Sequence, residues 1–165
     1  IYIKQKNINN NSIEKKRKNR IINELRTFFK LYQYINLRKK DIKLKFQKNT
    51  LSLNISLINI KSIKNNIFDN VIIHILIYLP KKYPFIPPII FIKYPIMNHK
   101  LITSTGLIYN DQLFSNKWQP TIKLKTLFVD IFTNIISQSE IVLLDTYLPD
   151  EAQKEYNIIS KNLIN

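Results

Sequence analysis

The clearest periodicity in the chain lies between residues 12 and 32, where Ile21, Ile22, Leu25, Phe28, Phe29 and Tyr32 recur at steps of three and four. That spacing predicts an amphipathic helix whose first half, Glu14-Lys15-Lys16-Arg17-Lys18-Asn19-Arg20, faces solvent. Residues 1–11 are rich in Asn and Lys without a period and read as a flexible arm. Leu51, Leu53, Ile55 and Leu57 alternate with Ser and Asn, the signature of a half-buried strand. After a polar break at 61–66, residues 71–79 form a longer strand with Ile73, Ile75, Ile77 and Leu79 on one face. His74, Leu76 and Tyr78 line its other face, which is expected to be partly covered. Pro80 ends that strand, and residues 89–92 make another.

Residues 94–118 show no period and predict a long ordered loop, which in a compact domain usually carries function. Thr121 opens a second helix with Leu124, Leu127, Phe128, Ile131 and Ile135 on one face. The last helix starts near Pro149, with Asp150 and Glu151 in its first turn and Ala152, Tyr156, Ile159 and Leu163 as its apolar stripe. Strands that follow one another without intervening helices form an antiparallel meander, whose apolar face the helices must cover. The expected class is therefore α+β: an N-terminal helix, a four-stranded antiparallel meander and C-terminal helices, in one domain over residues 12–165.

Composition narrows the chemistry. With 165 residues, 45% of them hydrophobic, the chain can bury a core and is not of the disordered class. The formal charge is +15, from 26 Lys and Arg against 11 Asp and Glu. The lysines are scattered, as an AT-rich coding sequence would produce, so no specific nucleic-acid partner is expected. Residues 14–20 are the one dense cluster, suited to a weak, salt-dependent contact with an anionic surface, or simply to a solvated helix face. There is no cysteine, which excludes disulfides, cysteine-held zinc and iron–sulfur clusters. No second His or acidic cluster stands at metal-ligand spacing from His99, so neither metal nor cofactor is expected. No apolar run is long enough to span a membrane and no signal layout precedes the first helix, which predicts a cytoplasmic protein with the question of any segment ahead of Ile1 left open.

The motif that organises the rest is Tyr83-Pro84-Phe85-Ile86-Pro87-Pro88, whose fixed-φ prolines force an extended, turning segment between strands. Downstream lie His99-Lys100-Leu101, Gly106-Leu107-Ile108-Tyr109 and Trp118-Gln119-Pro120. Gly106 is the only glycine in the chain, so the turn there is expected to need a positive φ.

In these motifs and their spacing, residues 15–160 resemble a ubiquitin-conjugating enzyme. Leu79-Pro80 resembles that family's Phe-Pro, Gly106-Leu107-Ile108 the Gly-x-Ile before its active cysteine, and Trp118-Gln119-Pro120 its Trp-x-Pro. The departures fall on the chemistry. Tyr109 stands at the cysteine position, and Leu101 stands where the family's Asn supplies an amide donor to the oxyanion. A phenol stays largely un-ionised at neutral pH, and its ester lacks thioester reactivity.

The resemblance therefore implies an inactive variant of the family, a pseudo-enzyme acting as a protein-binding adaptor. Among such variants, the loop looks most like the fused-toes branch, which joins Hook-family proteins in cargo trafficking. His99-Lys100-Leu101-Ile102, Thr103-Ser104-Thr105-Gly106 and Phe114-Ser115-Asn116-Lys117-Trp118 carry that likeness. The alternative is an accessory subunit, of ESCRT or chain-building type, that binds ubiquitin or an active conjugating enzyme. Phe85 and Pro120 match positions where active relatives touch protein partners, or else they pack their loops. His99 and Trp118 are expected to be structural, and Tyr109 to pack its ring into the vacated groove. Asp111 and Asp145 have no counterpart for paired acid–base work.

Overall fold

A computed structural model describes the backbone of residues 2–114 and 117–164, and the side chains of residues 12–113, 117–148 and 150–159. The first helix, α1 (Tyr2–Phe28), is followed by a 3-10 turn at Leu31–Gln33 whose Leu31 is fully buried. Four strands then build the main sheet, β1 (Ile42–Gln47), β2 (Thr50–Leu57), β5 (Val71–Tyr78) and β6 (Ile89–Tyr94), all antiparallel and in that spatial order. A small hairpin of β3 (Ile60–Lys61) and β4 (Ile67–Phe68) interrupts the meander between β2 and β5. The chain continues through β7 (Ile96–Asn98), the short helix α2 (Asp111–Phe114), α3 (Leu124–Asn134), β8 (Glu140–Leu143), which pairs with β7, and α4 (Pro149–Ile164).

The period-2 pattern of the strands separates the two faces of the sheet. Leu51, Leu53 and Ile55 of β2 sit opposite Ile77, Ile75 and Ile73 of β5, and all six are buried with Ile90 and Ile92 of β6. Each such side chain stabilises the fold by roughly 1.5–3 kcal/mol on burial. α1 and α3 cover this face, and Phe28 meets Phe128 edge-on with ring centroids 5.4 Å apart. On the other face Ser52, Asn54 and His74 are half-buried, and Ser52 Oγ lies 2.8 Å from His74 Nε2.

Several boundaries differ from the sequence reading. The backbone of residues 2–11 is helical where an arm is predicted; no Gly or Pro precedes Pro80, so nothing stops the helix from extending toward its N-terminus. At its other end the helix stops at Phe28 instead of reaching residue 32. β1, in which Ile42, Leu44 and Phe46 alternate with Lys43, Lys45 and Gln47, is an additional strand at the sheet edge, and its apolar side is only half-buried. β7 and α2 lie within residues 94–118, where the sequence has no period, and β8 is a further strand that the sequence reading did not include. Ser115 and Asn116 and the side chains of Phe114 and Leu163, named above, lie outside the described residues.

α3 starts at Leu124 instead of Thr121, and its N-cap residue Lys123 makes no side-chain cap. The missing acceptor comes from α1. Glu24, only 4% exposed, takes the Leu124 N–H on Oε2 at 3.0 Å. Its Oε1 meets Arg20 Nη2 at 2.6 Å and accepts the Tyr83 hydroxyl at 3.4 Å. Arg20 also donates to Ile122 O at 3.1 Å. Burial, and next the Glu24 carboxylate beside it, push the Tyr83 phenol well above its ordinary pKa, so it stays a donor. One carboxylate thus joins α1, the Tyr83 turn and the start of α3. Glu24→Ala is expected to lower the unfolding free energy by about 2–4 kcal/mol, since it strands Arg20 and the Leu124 N–H. Denaturant unfolding measures this, and an unchanged midpoint would show that the carboxylate does not join these elements.

Candidate functional site

Residues 97–109 fold back against the edge of β6. Ile92 N donates to Gly106 O at 2.8 Å and Ile108 N to Ile90 O at 2.9 Å, with Phe91 and Leu107 paired as an antiparallel bridge. Within the loop, Ile102 pairs with Ile108, and Tyr109 N donates to Leu101 O at 2.8 Å. Positions 101 and 109, which the sequence assigns to the oxyanion donor and the nucleophile, are therefore neighbours. Their side chains are an alkyl group and a phenol. Tyr109 is 36% exposed, so part of it reaches solvent.

His99 Nδ1 accepts the Leu101 N–H at 3.1 Å, which requires that nitrogen unprotonated. Partial burial, and then Lys100, lower its pKa and so favour that form. The imidazole shapes the turn, and among the described residues no group of three His, Cys, Asp or Glu could hold a metal.

Gly106 has φ +81°, as the lone glycine suggested. Positive φ alone does not explain it, because Asn36, Asn49, Asn59 and Asn65 all adopt φ between 53° and 65° in this Asn-rich chain. Space is what sets Gly106 apart. A Cβ there would lie 2.5 Å from Ile92 O and 2.6 Å from Cδ2 of Tyr147. The Tyr147 ring is held against it: its hydroxyl donates to Met97 O at 3.0 Å and accepts from Met97 N at 3.1 Å, while its own N–H reaches Lys93 O at 2.8 Å.

A second clamp comes from α4. Thr103 Oγ1 donates to Glu155 Oε2 at 2.8 Å, Thr105 Oγ1 donates to the same oxygen, and Leu107 N donates to Thr103 Oγ1 at 3.2 Å. The sequence reading missed Glu24, Tyr147 and Glu155. The available signal was an acid inside an apolar helical stripe: Glu24 between Ile21 and Phe28, and Glu155 between Ala152 and Ile159.

The Tyr-Pro motif lies in the connection between β5 and β6. Tyr83 and Pro88 are buried, Pro84 and Pro87 half-buried, and the Tyr83–Pro84 peptide is cis. Trp118 is half-buried against the core and donates its indole N–H to Pro84 O at 2.8 Å. That bond ties the two loops that carry Phe85, 72% exposed, and Pro120, also exposed. Asp111 meets Lys117 at 3.3 Å on the surface, and Asp145 Oδ1 accepts the Thr146 N–H at 2.7 Å.

A helix packed on a four-stranded meander, a Tyr-Pro turn, and a glycine-centred loop on the last strand define the α+β fold of ubiquitin-conjugating enzymes. The chain belongs to that family: the family model described as ubiquitin-conjugating enzyme matches residues 20–156. Among solved structures, it is similar to a ubiquitin-conjugating enzyme E2 from Plasmodium vivax, at 19% identity and TM-score 0.44, covering 62% of this chain and 92% of that one. It is also similar to a ubiquitin-conjugating enzyme E2 from Plasmodium falciparum, at 18% identity and TM-score 0.46, covering 68% and 84%. No curated protein matches the sequence.

Gly106→Ala is expected to destabilise the fold by about 2–5 kcal/mol, combining backbone strain with a clash against the fixed carbonyl of Ile92. Asn65→Gly, where only the φ is demanding, should change stability by less than about 1 kcal/mol. Thermal melts of both variants check the contrast, and equal effects would remove the steric explanation.

Proposed function

We propose that the chain is a ubiquitin-conjugating-enzyme-like protein that does not catalyse conjugation and works by binding other proteins. The observation that supports this is the absence of cysteine from all 165 residues, with Tyr109 at the position that the resemblance gives to the nucleophile and its N–H bonded to Leu101 O. The phenol forms no thioester, and Leu101 offers no side-chain donor to an oxyanion. The frame still presents Phe85 and Pro120 on two loops joined by the Trp118–Pro84 hydrogen bond, an exposed apolar pair of the kind that anchors a protein partner.

An adaptor acting in the cytoplasm is the form we favour. Its assignment to trafficking, with Hook-like partners, rests on the loop residues around His99, Gly106 and Trp118 alone. The second form is an accessory subunit that binds ubiquitin or an active conjugating enzyme, which family membership supports. Affinity purification with the unaltered chain and with a Phe85→Ala/Pro120→Ala variant tests the binding surface. Proteins recovered by the first should fall by roughly tenfold or more with the second, the loss expected for an interface anchor. Hook-like coiled coils, ESCRT subunits or a conjugating enzyme among them would separate the forms. Identical recoveries from both baits would place binding elsewhere.

A further inference from the structure

The cations of this chain are unevenly placed. Residues 1–110 hold 21 Lys and Arg against 4 Asp and Glu, while residues 111–165 hold 5 against 7. The structure also divides the basic cluster at residues 14–20. Arg20 is taken up by Glu24 and Ile122, but Arg17 reaches across to two other segments. Its Nη2 donates to Asn49 Oδ1 and to Pro80 O, each at 3.2 Å, and its buried Nε has no partner among the described residues.

These bonds gather three segments at one end of the molecule. The β1–β2 turn brings Lys48, the turn after β5 brings Lys81 and Lys82, and α1 brings Arg17 with its exposed neighbours Lys16 and Lys18. Leu79 N to Asn49 O at 2.8 Å locks the two turns together. Arg17, Lys48, Lys81 and Lys82 form no ion pair among the described residues, and Glu14 is the only acid in residues 12–20, 48–49 and 80–86.

Apolar side chains are exposed in the same segments. Ile13 lies one turn before Arg17 on the helix face that carries Ile21 and Phe28 into the core, yet is itself 59% exposed. Phe85 and Ile86 follow Lys82 and are exposed as well. Lysines beside exposed aliphatic and aromatic groups suit the headgroup layer of a bilayer, which accepts both. A nucleic acid would gain nothing from Ile13 or Ile86. No helix among the described residues is long and apolar enough to cross a membrane, so the contact would lie on the surface.

We propose that this end of the molecule, Arg17 with Lys48, Lys81 and Lys82, docks on an anionic lipid surface. The inference shares Phe85 with the protein-binding reading, so its test leaves Phe85 and Pro120 in place and varies only the lysines. The full chain is sedimented with phosphatidylcholine vesicles with and without phosphatidylserine, across a series of salt concentrations, alongside a Lys48→Gln/Lys81→Gln/Lys82→Gln variant. The expected result is binding that requires phosphatidylserine, weakens as salt rises, and falls by roughly 100-fold in the variant. The three lysines are exposed and their side chains hold nothing together, so the variant should melt with the unaltered chain. The salt series on the unaltered chain tests the proposal even if it does not. Equal sedimentation with both vesicle types, no vesicle binding, unchanged binding by a folded variant, or tighter retention on nucleic acid at the same salt would each overturn it.

Discussion

The carboxylate of Glu24 is the contact on which the arrangement of the helices and the Tyr83 turn depends. It is buried, charged, and satisfied from three directions, by Arg20, the Tyr83 hydroxyl and the Leu124 N–H. Taking a carboxylate out of water costs several kcal/mol, so the site is stable only with all of its donors in place. Those donors come from α1, from the motif after β5 and from α3. Hydrophobic burial makes these elements collapse on the sheet; the Glu24 network selects how they are set against one another. The Tyr83 turn fixed in this way holds Pro84, whose carbonyl accepts the Trp118 indole, and so sets the spacing of the loops that bear Phe85 and Pro120.

Along the β6 edge of the same sheet, the loop around Gly106 is held just as firmly. Gly106 is pressed between Ile92 O and the Tyr147 ring, and Glu155 grips two threonines beside it. Such support is usually read as preorganisation for chemistry. Here it surrounds Leu101 and Tyr109, and its physical effect is to keep a surface rigid. A rigid surface loses less conformational entropy on binding, which suits the protein-binding role proposed above.

Much of the fold was legible because its elements have sharply divided faces. β2, β5, α3 and α4 each place buried residues at a regular period against more accessible ones. β1 was harder to see because an edge strand buries Ile42, Leu44 and Phe46 only in part, with lysines between them. At the site, the sequence pointed to the left-handed turn at Gly106 but not to the lack of space there, which depends on Tyr147 and Ile92. Glu24 and Leu124 are 100 residues apart, and Glu155 and Thr103 are 52 apart. Patterns of local period do not contain contacts of that range; only the folded chain brings them together.

The central claim is that the conjugating-enzyme frame is present here without its covalent chemistry. Incubation of the chain with ubiquitin, an activating enzyme and ATP, followed by electrophoresis with and without a thiol reductant, tests it most directly. The account predicts no ubiquitin adduct that the reductant removes. A thiol-labile adduct on this chain would contradict it.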